Sequence, residues 1–181
     1  MRIVVSGTHA SGKSTVISDF TARHAEYVAL SDPFDLIDEA WDAPGAASFA
    51  VQLRIAADRL LDDDLGDDVI AERGPLDFLA YLLALAELSG GSVSRELLSR
   101  ATALAAEALR TLDLLVVVPL DERHPLVHDF DEHAELRETM NSVLLDLVDD
   151  TDLIGDLRVI ELAGNRAQRL AALESATDSA R

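Results

Sequence analysis

One segment near the start of the chain, Gly7-Thr8-His9-Ala10-Ser11-Gly12-Lys13-Ser14, fits the pattern G-x-x-x-x-G-K-[S/T] without a mismatch. The apolar run Ile3-Val4-Val5 precedes it, and apolar residues at helical spacing follow it. In a strand–turn–helix setting, glycines let the backbone wrap around phosphate oxygens, while loop and helix N–H groups supply positive potential. The pattern therefore predicts a phosphate-binding loop for a nucleoside triphosphate. Lys13 is expected to bridge the outer phosphates, Ser14 to bind Mg²⁺, and Thr15 to complete the donor site.

Along the rest of the chain, short apolar runs alternate with longer stretches of helical period. Residues 3–5, 27–30, 69–71, 114–118 and 159–160 are predicted strands, and 14–24, 46–65, 76–88, 94–112, 132–148 and 166–176 are predicted helices. This alternation predicts an α/β, three-layer P-loop NTPase fold with a five-stranded, mostly parallel sheet and ligands at the carboxyl ends of the strands. We expect a single domain over residues 1–181, with surface connections at 62–68 and 89–92 and a frayed end after Leu173.

Composition excludes several classes of function. The 34 Asp and Glu residues against 15 Lys and Arg give a formal net charge of −19, which disfavours nucleic acid as a partner because phosphate contacts need clustered cations. The absence of Cys removes disulfides and thiolate chemistry. The longest apolar run, residues 78–86, is too short to cross a membrane. These features, with no signal-peptide pattern, predict a cytoplasmic protein without a membrane partner.

The basic residues are almost all arginine, and Lys13 is the only lysine. Its position suggests a task that the wider guanidinium group cannot perform. A Ras-type GTPase is excluded, because its guanine-reading N-K-x-D motif needs a second lysine. An ABC-type ATPase is matched in part by Leu88-Ser89-Gly90-Gly91, but Ser92 replaces the Gln of that signature and Pro119 would interrupt the strand before Asp121.

Further short motifs occur in the order and spacing of small P-loop kinases. Asp32-Pro33 follows the second predicted strand, with Trp41 soon after; Gln52 and Arg59 share one helical face; Glu72-Arg73-Gly74 follows the third strand. Over nearly its full length the chain resembles the deoxynucleoside and nucleoside-monophosphate kinase group. Its opening residues are also similar to nicotinamide-riboside-kinase-like AAA-type ATPase domains. The chain departs from the group's pattern at Asp32, where Glu is usual, and at Gly74, where Ser is usual.

The resemblance implies roles for these residues. Asp32 would orient or deprotonate an acceptor hydroxyl, although Asp32-Pro33 equally fits a helix N-cap. Glu72 would bind Mg²⁺ through water and Arg73 would stabilise developing phosphate charge, with a surface ion pair as the alternative. The expected substrate contacts are Asp32, Trp41, Gln52, Arg59, Arg73 and Asp77. For Asp77 the alternative is compensation of the helix N-terminal charge.

A lid is expected over about 121–135, where kinases of this type close arginines over the phosphates. Arg123 and Arg137 are its candidate cations, with an ordinary solvated charge as the alternative. Asn165 and Arg166, after Gly164, match the place where such kinases lay a loop against adenine, and equally fit a turn with a helix cap.

The sequence thus predicts an ATP-dependent, Mg²⁺-dependent kinase that phosphorylates a nucleoside or nucleoside-like small molecule. The alternatives are a kinase of nucleoside monophosphates or of another small metabolite, and a regulatory NTPase acting on a protein partner. A homodimer stays open.

Overall fold

The computed structural model describes residues 1–36, 45–90, 93–120 and 134–178. Within them, the five strands are β1 (Arg2–Ser6), β2 (Val28–Leu30), β3 (Val69–Glu72), β4 (Leu114–Val117) and β5 (Arg158–Glu161). The helices are α1 (Lys13–Thr21), α2 (Ala46–Leu60), α3 (Pro75–Leu88), α4 (Arg95–Leu109), α5 (Ala134–Asp149), α6 (Thr151–Ile154) and α7 (Arg166–Asp178), with a 3₁₀ turn at Pro33–Leu36.

The strands form one sheet in the order β2-β3-β1-β4-β5, and every neighbouring pair is parallel. Ile3 of β1 pairs with Ile70 of β3 on one side and with Leu114 of β4 on the other. Because the strands are parallel, the residues that follow β1, β2 and β3 meet at one edge of the sheet. The phosphate loop, Asp32 and Glu72 are therefore neighbours in space, as the sequence predicts.

Alternate residues of the central strands enter two separate cores, since successive side chains of a strand point to opposite faces. Val4, Ala71 and Leu115 pack with helices α2 to α5 on one face of the sheet. Ile3, Val5 and Ile70 pack with α1 and α7 on the other face. The predicted three-layer arrangement of helix, sheet and helix is confirmed.

Helix α3 is the most apolar helix of the larger layer. Its residues from Pro75 to Leu82 are all buried, including the charged Asp77. Gly74 precedes it in extended conformation and Pro75 occupies the first helical position, where a missing N–H costs nothing. The amino end of this buried helix lies directly after β3, so the fold holds it firmly beside the phosphate loop.

Some element bounds differ from the sequence prediction. Helix α2 ends at Leu60 rather than at residue 65, because Asp62 starts a turn in which its side chain accepts from Asp64 N at 2.9 Å. The short helix α6 was not predicted, and the 3₁₀ turn begins at Pro33, where the N-cap alternative for Asp32 expects a helical start.

The expectation of a frayed end after Leu173 is wrong, since α7 continues to Asp178. Thr177 is 3% exposed, and Arg158 Nη1 donates to the carbonyl of Ala176 at 2.7 Å. Among the described residues, no helix combines the length and apolar character that a membrane span requires.

Candidate active site

Two glycines determine the backbone path of the phosphate loop. Gly7 has φ +152°, and a Cβ there would lie 2.5 Å from the carbonyl oxygen of Val118. Gly12, immediately before α1, has φ +96° in the left-handed region that favours glycine. Both positions of the motif therefore require glycine for physical reasons, and the loop between them opens toward solvent at His9.

Lys13 begins α1 and is only 3% exposed. Its Nζ donates to the carbonyl oxygen of Thr8 at 2.7 Å, so the ammonium group lies across the loop. Burial, helped by the nearby guanidinium of Arg73, lowers the pKa of Lys13 to about 8, while Asp77, Glu72 and Asp32 oppose the shift. A buried cation in this position is well suited to a polyanionic ligand, whose charge would restore the full positive form.

Ser14 and Glu72, the two predicted metal ligands, are in direct contact. Ser14 Oγ donates to Glu72 Oε1 at 2.7 Å, joining the start of α1 to the end of β3. A hydroxyl and a carboxylate are oxygen donors of the kind that Mg²⁺ prefers when phosphates complete its shell. The pair therefore fits the predicted ion. Among residues 1–36, 45–90, 93–120 and 134–178, no group of three or more acidic or histidine side chains could hold a metal by itself.

Asp77 connects the phosphate loop to helix α3. Its carboxylate is 0% exposed and accepts from Ser6 Oγ at 2.7 Å, from Gly7 N at 2.8 Å and from Gly74 N at 2.9 Å. Burial raises the pKa of Asp77, while Arg73 and these three hydrogen bonds favour the ionised form. The protein itself thus occupies both oxygens, as in the helix N-terminal alternative, and a substrate contact for Asp77 stays a prediction.

Arg73 and Asp32 form a buried ion pair. Arg73 Nε lies 2.9 Å from Asp32 Oδ2, with side-chain exposures of 1% and 16%, although the N–H is not aligned for a hydrogen bond. Burial lowers the pKa of Arg73, but Tyr81, Asp32 and Asp77 outweigh it and leave the pKa raised. Arg73 has φ 62°, a left-handed conformation that costs a non-glycine residue energy.

The Asp32 carboxylate caps the 3₁₀ turn and faces Arg73 at the same time, and its role toward an acceptor hydroxyl stays a prediction. While Oδ2 faces Arg73, Oδ1 accepts from the backbone N–H of Phe34 at 3.0 Å at the start of the 3₁₀ turn. The capping and charged-site interpretations are therefore compatible, because each uses a different oxygen of the same carboxylate.

Two aromatic rings pack against the Arg73 guanidinium. Its Cζ lies 5.2 Å from the ring centroid of Phe34 and 5.5 Å from that of Tyr81, within cation–π range. Tyr81 in turn stacks on Phe49 of α2 with centroids 4.6 Å apart. Tyr81 was not predicted as a site residue. The available signal was its place two helical turns into α3, on the same face as Asp77.

Gln52 and Arg59, predicted on one face of α2, lie near this cluster in different environments. Gln52 is 2% exposed, and its Oε1 has no hydrogen-bond partner in the described part of the chain. Arg59 Nη1 donates to the carbonyl of Ser31 at 2.8 Å, and burial lowers the pKa of Arg59 while Asp32 raises it. Arg59 therefore lies beside Asp32, Gln52 is enclosed on α2, and a substrate contact of either residue stays a prediction.

The remaining predicted residues are placed as follows. Asn165 and Gln168 cap the start of α7 reciprocally, as the cap alternative of the sequence analysis expects. Arg166 pairs with Asp19 of α1. Contact of Asn165 and Arg166 with adenine stays a prediction. Arg137 lies half-buried in the first turn of α5. Trp41, Arg123 and residues 121–133 of the expected lid lie outside the described residues.

One contact with the phosphate loop was missed altogether. Arg169 of α7 donates from Nη1 to the carbonyl of Ser11 at 2.7 Å. The sequence contains no local signal for it, because the two residues are 158 positions apart and no motif includes an arginine there.

Neither a family model nor a curated protein matches this sequence. Solved structures do. Deoxyadenosine kinase from M. mycoides matches with a TM-score of 0.68 at 13% identity, covering 100% of both chains. Thymidylate kinase from Candida albicans matches with a TM-score of 0.64 at 16% identity, covering 98% of this chain and 91% of that one. The fold is that of these kinases. Thymidylate kinase from Ehrlichia chaffeensis matches as well, with a TM-score of 0.59 at 13% identity and 98% coverage of both chains.

Proposed function

We propose that the protein is a Mg²⁺-dependent kinase that transfers the γ-phosphoryl group of ATP to the hydroxyl of a nucleoside or nucleoside-like small molecule. The observation that carries this proposal is the convergence of three features at one sheet edge: the phosphate loop with Lys13, the Ser14–Glu72 pair, and the Asp32–Arg73 ion pair. The likeness to kinases of deoxyadenosine and thymidylate supports it.

Each group has a task in such a transfer. The acceptor hydroxyl attacks the γ-phosphorus, the bond from that phosphorus to the β–γ bridging oxygen breaks, and ADP leaves. Asp32 would take the hydroxyl proton, while Lys13 and the loop N–H groups would hold the phosphates whose charge changes. Ser14 and Glu72 would hold Mg²⁺, which neutralises phosphate charge when bound.

Arg73 is placed to serve both substrates. It pairs with Asp32 on the acceptor side, and its charge also acts on Lys13 on the donor side. We infer that Arg73 stabilises the transferred group between the two, since phosphoryl transfer depends mainly on positioning and electrostatics.

A nucleoside is the favoured acceptor because the site contains a carboxylate suited to a hydroxyl. Of the two arginines beside Asp32, Arg59 already donates to Ser31 and Arg73 already faces Asp32. A nucleoside monophosphate is the second candidate. Arg73 Nη1 favours it, since this buried donor has no hydrogen-bond partner among the residues that the structure describes, and a phosphate oxygen would supply one.

The proposal is tested by ADP release from Mg-ATP over a panel of nucleosides, nucleoside monophosphates, nicotinamide riboside and sugars. We expect release to depend on one acceptor class and to fall by about 10²-fold or more in Lys13→Met, the scale for removing one preorganised electrostatic partner. Release that ignores every acceptor would instead indicate a regulatory NTPase. Phosphorylation of monophosphates alone would favour the second candidate.

A further inference from the structure

Three arginine side chains connect α7 to α1 and to the segments next to α1, and they differ in what they reach. Arg166 pairs with Asp19 of α1, and Arg23, two residues after the end of α1, pairs with Glu174 at 3.3 Å; both contacts join one side chain to another. The third contact, from Arg169 Nη1 to the carbonyl of Ser11, reaches the backbone of the phosphate loop itself. Arg169 therefore acts on the loop directly and not only on the packing of two helices.

The direction of that carbonyl determines the direction of the next N–H. In a trans peptide the C=O of one residue and the N–H of the following residue point to opposite sides. With the Ser11 carbonyl turned toward Arg169, the N–H of Gly12 points away from the Arg169 guanidinium, so a phosphate bound on the other side of the loop could accept from it.

Gly12 also makes the approach of Arg169 possible. A Cβ at this position would lie 3.0 Å from Arg169 Nη1, closer than most real contacts, and its φ of +96° disfavours any side chain. The glycine of the motif therefore leaves room for a guanidinium behind the loop as well as for phosphate in front of it. In a chain of net charge −19, that cation also adds positive potential where a polyanion must bind.

We propose that Arg169 is a positioning residue for the donor phosphates: it holds the Ser11 carbonyl so that the Gly12 N–H stays directed at the phosphate chain. This inference rests on the proposed function, because it assumes that the loop binds the phosphates of a nucleotide. It predicts that Arg169 affects the phosphate part of the ligand and leaves recognition of the base unchanged.

The test is calorimetric titration of the full chain with Mg-ATP and, separately, with inorganic tripolyphosphate and Mg²⁺. Arg169→Met should weaken both ligands by the same factor, about tenfold, since it removes a charged hydrogen bond to the loop. Arg169→Lys should recover part of the affinity, because an ammonium can still donate to one carbonyl. Arg23→Gln is the matched control: it removes an ion pair between α7 and the segment after α1, remote from the loop, and its affinities should equal those of the wild type.

Several outcomes overturn the inference. Wild-type affinity for both ligands in Arg169→Met would remove it, and so would a loss confined to ATP, which would indicate a contact with the base or ribose. Equal losses of affinity in Arg23→Gln would show that Arg169 acts only through the general packing of α7. If Arg169→Met does not fold, wild-type affinity for both ligands in a folded Arg169→Ala, which also lacks the donor, would equally refute the inference. Failure of the wild-type chain to bind either ligand would refute the proposed function instead.

Discussion

Binding of Mg-ATP should take up a proton at Lys13, and the amount should follow from the pKa of about 8 in the free protein. Below pH 7 the ammonium is already protonated and little uptake is expected. At pH 8 about half of the molecules need a proton before the phosphates can pair with Lys13, and at pH 9 about nine-tenths do. The phosphates raise the pKa of Lys13 in the complex, so uptake rises with pH over this interval.

The same equilibrium sets the loss of affinity. Between pH 7 and pH 9 the protonated fraction of Lys13 falls about tenfold, so the apparent Kd for Mg-ATP should rise by about that factor. The phosphates of ATP lose their last protons near pH 6 and do not contribute in this range. Proton uptake is measured by titration calorimetry at one pH in buffers of different ionisation enthalpy.

Two variants separate Lys13 from other groups. Lys13→Arg carries a charge that does not titrate below pH 12, so the uptake should disappear in any binding that remains. Arg73→Met removes a cation that lowers the pKa of Lys13, so the midpoint of uptake should move to higher pH. A wild-type protein that binds Mg-ATP at pH 8.5 with no proton uptake would refute this account of Lys13.

Three further substitutions follow from the site. Asp32→Asn keeps the cap to Phe34 N but leaves the buried Arg73 guanidinium without its ion-pair partner, so Tm should fall and turnover of the folded protein should fall about 10²–10⁴-fold; normal turnover in the folded variant would make Asp32 a cap and ion-pair partner alone. Gln52→Met should raise the KM for the acceptor and leave the KM for ATP unchanged. It should not lower Tm, because Gln52 Oε1 is buried without a hydrogen-bond partner among the described residues. Equal increases of KM for both substrates would make Gln52 a structural residue. Gly74→Ala should destabilise the fold by about 1–3 kcal/mol in urea unfolding, because its Cβ would lie 2.8 Å from Val4 Cγ1, and adding Val4→Ala should recover part of that loss; a Gly74→Ala protein of full stability would contradict the contact.

The backbone of the phosphate-loop segment could be predicted from the sequence because its constraints are local. Gly7 and Gly12 are required by the backbone conformation at their own positions, and Lys13 begins the helix that follows the loop. The parallel sheet follows from alternating strands and helices, and it explains why Glu72 meets Ser14: Glu72 ends β3, and Ser14 lies at the start of the helix that follows the adjacent strand β1.

The rest depends on contacts between distant residues that no local pattern encodes. The glycine at position 74, where the kinase group usually has serine, is explained only by its approach to Val4 on β1. Arg169 and Tyr81 acquire their places through packing of α7 on α1 and of α3 on α2. At Asn165 the local sequence pattern is ambiguous instead of absent, because it fits both an adenine contact and a helix cap. The structure shows Asn165 capping α7.

The buried carboxylate of Asp77 has a consequence for the motions of the protein. Its hydrogen bonds join the end of β1, the first residue of the phosphate loop and the residue before α3, so none of these can separate without leaving a buried charge unsolvated. The amide hydrogens of Gly7 and Gly74 should then exchange with solvent only when the whole domain opens. Any motion of the phosphate loop should therefore leave this joint intact, so the end of β1, the first residue of the loop and the start of α3 should move as one rigid unit.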